Sequence, residues 1–328
     1  MSNNNYLSIY AKSFNWAGFF LPKKIYLKCS NLYDFCRTVD NIADEEGEIQ
    51  SKKSKFLAFK NSFHNKNFSD PIIKNMWSLI EDYEISKKIV DDLFDGVESD
   101  LKNKLEINSK KDLFIYSYRV AGTVGLMMAK ILNIKDKNSL KSAIDLGIAM
   151  QLTNISRDII EDSKRNRFYI SHNFDSIKET LEIADLFYES SFASIKKIPL
   201  SFRFSILVAR RIYRKIGHNI LSKKTIENYN NSGKIFVTNI EKIIQTFLSL
   251  YDFMSYPAYA LVTLTCLIVI ARSILPSFLN RSFSISRTFS SPFLPISLFS
   301  AIFSSNSSSD NSVTLFLSFD IESILFSQ

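Results

Sequence analysis

Helix breakers are scarce in this chain, with 8 glycines and 7 prolines in 328 residues. Such a shortage argues for a mostly helical protein. Cysteine is scarce as well. Cys29, Cys36 and Cys266 make neither a disulfide framework nor a metal motif, which fits a reducing compartment. The opening residues MSNNNYLSIYAKSF lack a basic stretch followed by an apolar run, so no secretory leader is expected. Strand alternation and tandem repeats are missing. So are nucleic-acid-binding motifs and Lys/Arg blocks interleaved with aromatics, and nucleic acid is not an expected partner. What the chain does have is apolar residue, 46% of the total, and a formal charge of +8. The first is enough for a large core. The second suits an anionic membrane surface or a polyanionic small substrate.

Residues 1 to about 250 read as successive amphipathic helices. KKIYLKCSNLYDFCRTVDNIAD spaces Leu27, Leu32, Phe35, Val39 and Ile42 at helical intervals. EISKKIVDDLFDGVESDL does the same with Ile85, Ile89, Leu93 and Val97. The run from Asn138 to about Asp162 is one long helix, apolar around much of its circumference, and such a helix is central and buried. DLFYESSFASIKKI and FRFSILVARRIYRKIGHNIL supply two more.

The last part has a different character. No glycine follows Gly233 and no lysine follows Lys242. Residues 253–271 carry no charge up to Ala271, near the roughly 20 residues that span a bilayer. A membrane anchor and a hydrophobic last helix both fit that stretch. Residues 272–328 are rich in Ser, Phe and Leu. Antisense reading turns AAA and GAA codons into TTT and TTC, so read-through into a neighbouring gene would produce this bias. A natural low-complexity tail is the alternative.

Two acidic segments carry the chemistry. In RTVDNIAD, Asp40 and Asp44 are four apart and share a helix face. In QLTNISRDIIED, Asn154, Asp158 and Asp162 form an oxygen-bearing stripe over two turns. Glu161 lies beside it, and Arg157 is expected about 100° away from Asp158. Carboxylate and amide oxygens are hard ligands suited to Mg²⁺, which bridges protein carboxylates to substrate phosphates. Each segment also has an arginine, Arg37 or Arg157. Two walls of one cavity clamping an anion through divalent ions is one reading; a buried salt-bridge network is the other. In YSYRVAGTVGLMMAK, Gly122 and Gly125 cost a helix about 1 kcal/mol each. They indicate a helix break beside a cavity or close helix packing.

KSFNWAGFFLP, LYDFCRTVDNIADE, DLFDGVESDL, YSYRVAGTVGLMMAK and DLGIAMQLTNISRDIIEDSKRNRFYI together resemble the squalene/phytoene synthase family. They occur in its order over residues 12 to about 245, and the last two look most like its bacterial phytoene-forming branch. The resemblance implies an all-α isoprenoid (terpenoid) synthase fold with helices around a central cavity. It implies head-to-head condensation of two geranylgeranyl diphosphates, through a cyclopropyl diphosphate, to phytoene in carotenoid biosynthesis, without NADPH. A squalene or dehydrosqualene synthase using farnesyl diphosphate, or an inactive remnant, are the alternatives. By this resemblance Asp40, Asp44, Asn154, Asp158 and Asp162 bind Mg²⁺, or Mn²⁺ in its place. Lys12, Arg37 and Lys234 contact diphosphate, with Lys234 standing where many relatives have arginine. Tyr33 and Tyr116 lie near the departing diphosphate and the cation. Phe14, Val120, Ala121, Gly125, Gln151 and Tyr213 shape the substrate cavity. Many relatives have Ser where Ala11 stands. The hydrocarbon product implies peripheral association with the inner membrane of a bacterial cytoplasm and contact with other carotenoid-pathway enzymes.

Overall fold

The computed structural model describes residues 6, 7 and 11–254. Of the apolar stretch 253–271 only Phe253 and Met254 fall inside that range. The tail 272–328 lies wholly outside it.

The order of elements is α1 (Lys12–Gly18), α2 (Lys23–Asp44), α3 (Ile49–His64), α4 (Pro71–Asp82), α5 (Lys87–Ser99), β1 (Leu105–Glu106), α6 (Lys110–Ser117), a π-helical turn (Tyr118–Gly122), α7 (Thr123–Ile131), α8 (Lys137–Lys164), β2 (Arg167–Phe168), α9 (Phe174–Ile195), α10 (Leu200–Leu221), α11 (Ile226–Asn231) and α12 (Asn239–Met254). The RTVDNIAD segment therefore ends one helix, and QLTNISRDIIED sits in the second half of the longest. Among the described residues the strands are β1 and β2, paired in parallel with Leu105 opposite Arg167 and too short to show any alternation.

Local signals set several boundaries. Asp70 caps α4 by accepting from the Ile72 amide at 2.8 Å, with Pro71 in the first helical position, where its missing N–H is harmless. Asp136 caps α8 by accepting from the Ser139 amide at 3.0 Å. The α8 helix is buried on nearly every side and packs against α7, α9, α10 and the π turn. One end of the core is an aromatic cluster from α2, α3 and α5, in which Phe35, Phe63 and Phe94 meet at ring separations of 5.4 to 5.9 Å. Trp77 of α4 stacks on Phe63 at 5.2 Å and donates its indole N–H to the Phe63 carbonyl.

Both readings of the glycine segment hold. The chain does leave α-helical geometry within it, in the π turn that ends at Gly122, a feature common at functional sites. Close packing is present too. A Cβ on Gly125 would lie 2.2 Å from the Ala143 carbonyl oxygen, and one on Gly147 would lie 2.3 Å from that of Ala121. Two backbones cross here with no room for a side chain, which brings α7 and the π turn against the middle of α8.

Candidate active site

A cavity of about 350 Å³ runs between these helices. Its wall is polar at one end, where Tyr33, Arg37 and Asp40 of α2 face Gln151 and Asn154 of α8. Asp100, just after α5, and Tyr116 of α6 join them. Elsewhere the lining is hydrocarbon: Leu93, Val97, Met128, Leu132, Ile134, Leu146 and Met150 among others. Phe14, Val120, Ala121, Gly125 and Tyr213 also line it. The Phe14 and Tyr213 rings are 4.8 Å apart, and burial pushes the Tyr213 phenol up to about 12.

The remaining candidates, Asp44, Asp158, Asp162, Lys12 and Lys234, are not part of its wall. Asp44 ends α2 and borders a second depression, of about 590 Å³, together with Glu161 of α8. The two acidic segments thus do face each other. Lys12 starts α1, is exposed, and is not part of the cavity wall. Lys234 reaches α8 from the loop before α12. Its Nζ is 3.3 Å from Asp158 and donates to Glu161 at 2.6 Å. Glu161, which had no assigned role, is the lysine's partner.

The arginines correct the sequence reading. Arg157 does not point away from Asp158. Its long side chain turns back and forks onto the neighbouring carboxylate, Nε donating at 2.9 Å and Nη2 at 2.5 Å. The rotation of about 100° applies to Cβ positions, not to the end of a flexible guanidinium. Arg37 likewise donates to Asp40 at 2.5 Å. The salt-bridge reading therefore describes these pairs without ligand. Arg167 was missed altogether. It donates to Asp44 at 2.8 Å and to the Ala43 carbonyl at 3.2 Å, so it caps the end of α2. Asp100 and Tyr169 were missed too. Tyr116 and Tyr169 each donate to Asp100, both at 3.0 Å, and their hydroxyls are 2.9 Å apart.

The carboxylates form an arc from one wall to the other. Burial, then Asp44, raises Asp40 to about 6. Burial, with a contribution from Asp40, raises Asp100 to about 6 despite its two tyrosine donors and Arg167. Burial, then Asp158 and Asp100, raises Asp162 to about 7. Asp158 alone goes the other way. Burial would raise it, but Arg157 and Lys234 outweigh that and hold it below the usual carboxylate range. Asp40 keeps 40% of its side-chain surface accessible and lines the cavity.

This donor set fits a hard divalent cation. It is all oxygen. Asn154 Oδ1 is buried with no hydrogen-bond partner, a condition that is costly unless something electropositive binds there. Three raised carboxyls likewise indicate missing positive charge. Among the described residues no three His, Cys, Asp or Glu side chains stand together as a ready metal cluster. Ions would thus have to draw the two walls' oxygens together. Raised carboxyls also carry a sign: the metal-free fold loses stability as pH climbs through 6 to 7 and they ionise. At pH 5 a metal must first displace those protons. Mg²⁺ is therefore expected to raise the melting temperature by about 5 °C at pH 7.5 and by under about 1 °C at pH 5, taking about 2–4 °C per kcal/mol. Thermal melts with Mg²⁺ or chelator check this, and equal shifts at both pH values would refute the arc as a cation site.

A family model described as squalene/phytoene synthase matches residues 8–174. A phytoene synthase of Cereibacter sphaeroides is 28% identical over 271 residues, covering 72% of this chain and 75% of that protein. A 15-cis-phytoene synthase of Pantoea ananas is 25% identical, over 64% of this chain and 79% of the relative. Among solved structures, a dehydrosqualene synthase in complex with ligand superposes with a TM-score of 0.64 at 25% identity. That match covers 76% of this chain and 95% of the other.

Proposed function

The chain belongs to the squalene/phytoene synthase family and is a prenyltransferase-type enzyme with the isoprenoid synthase fold, and from that premise we propose that it joins two geranylgeranyl diphosphates head to head into phytoene. One observation carries this reading. A single cavity gathers Asp40, Asp100, Gln151 and Asn154 with one cationic side chain, Arg37, at one end and is walled mostly with hydrocarbon elsewhere. A molecule with a diphosphate head and a long prenyl tail matches both parts. The named sequence relatives favour C20 substrates. The fold likeness to a dehydrosqualene synthase speaks for a C15 alternative, but with less weight.

The chemistry divides into two stages. In the first, one diphosphate leaves, C1 bonds to the other molecule's double bond, and proton loss closes a cyclopropane. In the second, the remaining diphosphate leaves, the ring rearranges, and a second proton is lost. Electrons balance without a reductant, so NADPH has no role. Mg²⁺, when bound, would neutralise the diphosphate and make it a competent leaving group. Asp40 and Asp44 from one wall, with Asn154, Asp158 and Asp162 from the other, would hold it. Arg37 and Lys234 add positive charge for the diphosphate. Lys234 gives a point charge where a guanidinium would fork, and must first give up Asp158 and Glu161. Lys12, exposed at the start of α1, would reach a diphosphate only at the cavity's edge. Tyr33 and Tyr116 present phenols at the polar end of the cavity. The Asp100 carboxylate holds the Tyr116 hydroxyl in place and is available to accept a proton through it. The faces of Phe14 and Tyr213 stabilise a passing cation by about 0.5–2 kcal/mol, while the apolar wall keeps water from quenching it.

Purified protein with Mg²⁺ and geranylgeranyl diphosphate is expected to yield a C40 hydrocarbon, with or without NADPH. It should yield little from farnesyl diphosphate. A C30 product in preference would overturn the substrate assignment. The expected C40 product would place the enzyme in carotenoid biosynthesis, at a membrane surface and beside enzymes that take up phytoene. Among the described residues no helix is long and apolar enough to cross a membrane, which leaves peripheral attachment for this part of the chain.

A further inference from the structure

The α12 helix is turned inside out. Its buried side is polar: Lys242 and Ser249 are buried, Thr246 accepts from the Trp16 indole at 3.0 Å, and Asp252 pairs with Arg211. Its outward side is a continuous stripe of Ile240, Ile243, Ile244, Phe247, Leu248 and Tyr251, from 42% to 72% exposed. An apolar stripe at this spacing normally faces a core. Here it faces out, and contiguous exposed patches of this kind are interaction sites.

The stripe ends beside a second apolar surface. Ring contacts run from Phe19 to Phe20, from Phe20 to Phe204, and from Phe204 to Phe253 of α12, at 4.9 to 6.3 Å. Phe19 is 86% exposed and Leu200 63%. Two short segments supply these residues, FFLPKK and KKIPLSFRF. Each sets an apolar group beside a pair of exposed lysines, Lys23–Lys24 and Lys196–Lys197. Gly18 and Leu21 on one side and Ile198 and Ile206 on the other also line the cavity. The cavity's apolar wall therefore reaches the same end of the molecule. In sequence, Phe253 opens the uncharged stretch that continues to Ala271.

We propose that this face, the outward stripe of α12 together with the aromatic, lysine-rimmed segments around Phe19 and Leu200, docks on an anionic lipid bilayer and opens the cavity toward it. Paired lysines beside large apolar side chains match a surface of anionic headgroups over acyl chain. A second protein copy would not account for lysine pairs on both segments. The docking itself stands apart from the proposed reaction; only the use of the opening, release of a hydrocarbon with no polar group, rests on it.

The test uses the full chain and no substrate, so a C30 product in the assay above would leave it untouched. Phe19→Trp and Phe247→Trp place reporters on the two parts of the face. With vesicles of phosphatidylethanolamine and brominated phosphatidylglycerol, both tryptophans should shift to the blue and be quenched beyond the parent's Trp16 and Trp77 background. Brominated phosphatidylcholine vesicles should quench them far less. The triple variant Lys23→Glu, Lys24→Glu, Lys196→Glu should bind anionic vesicles at least tenfold more weakly, with an unchanged melting temperature and unchanged turnover in detergent. If the chain sediments with vesicles while neither tryptophan is quenched, the attachment lies elsewhere and the proposal fails. It fails also if the face is covered by a second copy, seen as a dimer that Phe247→Asp converts to a monomer.

Discussion

Asp40→Asn is expected to lower hydrocarbon formation about a thousandfold and, at pH 7.5, to leave the protein as stable as before or slightly more so. The opposite signs follow from one environment. Asp40 lines the polar end of the cavity beside Arg37, with Asp44 one turn on. Its carboxyl is raised to about 6 by burial and then by Asp44, so at pH 7.5 the folded chain holds a charge that its surroundings resist. Asparagine has nearly the same shape and removes that cost. On the proposed function it also removes a negative group from the place where a diphosphate would be neutralised, and losses of this kind of electrostatic support run to about 10²–10³ in rate. Functional groups that destabilise their own fold are a familiar compromise. Turnover and thermal melts on the same preparation decide the matter. Activity within about fivefold of the parent would remove Asp40 from the site, and a large drop in melting temperature would make it a structural residue.

Gly147→Ala is expected to be worse for the fold than a single methyl suggests. The new Cβ would sit 2.3 Å from the Ala121 carbonyl oxygen, 2.8 Å from its carbon and 3.0 Å from Gly122 Cα. All three are backbone atoms, so no side chain can swing aside. Either α8 moves away from the π turn or the turn itself deforms. Overpacking of a core costs about 1–3 kcal/mol, sometimes more, and a backbone obstacle belongs at the upper end. The expected fall in melting temperature is about 6–12 °C, at about 2–4 °C per kcal/mol. Activity should fall further, because Gln151 and Asn154 follow on the same helix by one and two turns. Gly217→Ala is the matched control. There a Cβ meets only Leu181 Cδ2, at 3.3 Å, and alanine's helix preference of about 1 kcal/mol over glycine offsets the contact. Equal losses in the two variants would mean that the crossing of the π turn and α8 is looser than its distances imply.

Much of this was legible from residues alone. The apolar spacing in α2 and α8 gave those helices with their ends nearly in place, and the interval of four put the paired ligands on single faces. Periodicity could not supply Asp100, Tyr169 or Arg167. Each enters the site from just after a helix, from the short strand β2 or from the residue that follows it, where no repeating pattern singles out a residue. Arg157 was misplaced because spacing fixes where a side chain starts, not where seven flexible atoms end. The α12 helix shows a different limit. A stripe of Ile, Phe and Leu every three or four residues shows that a helix has two faces, without saying which one turns to the core.

The small β1–β2 ladder has a topological consequence. Leu105 donates to the Asn166 carbonyl and Ile107 to that of Phe168, at 2.9 and 3.0 Å. Everything between them, namely α6, the π turn, α7 and α8, is thereby a ring of chain fastened at its neck. Closing so long a loop costs entropy once, after which its helices gain from one another's contacts without further long-range search. A ring tied in this way unfolds as a unit, so amides at Leu105 and Ile107 should exchange with solvent at the pace of the α8 interior rather than that of surface turns. The wall bearing Tyr116, Gln151 and Asn154 thus belongs to a ring whose neck is four residues that do not line the cavity.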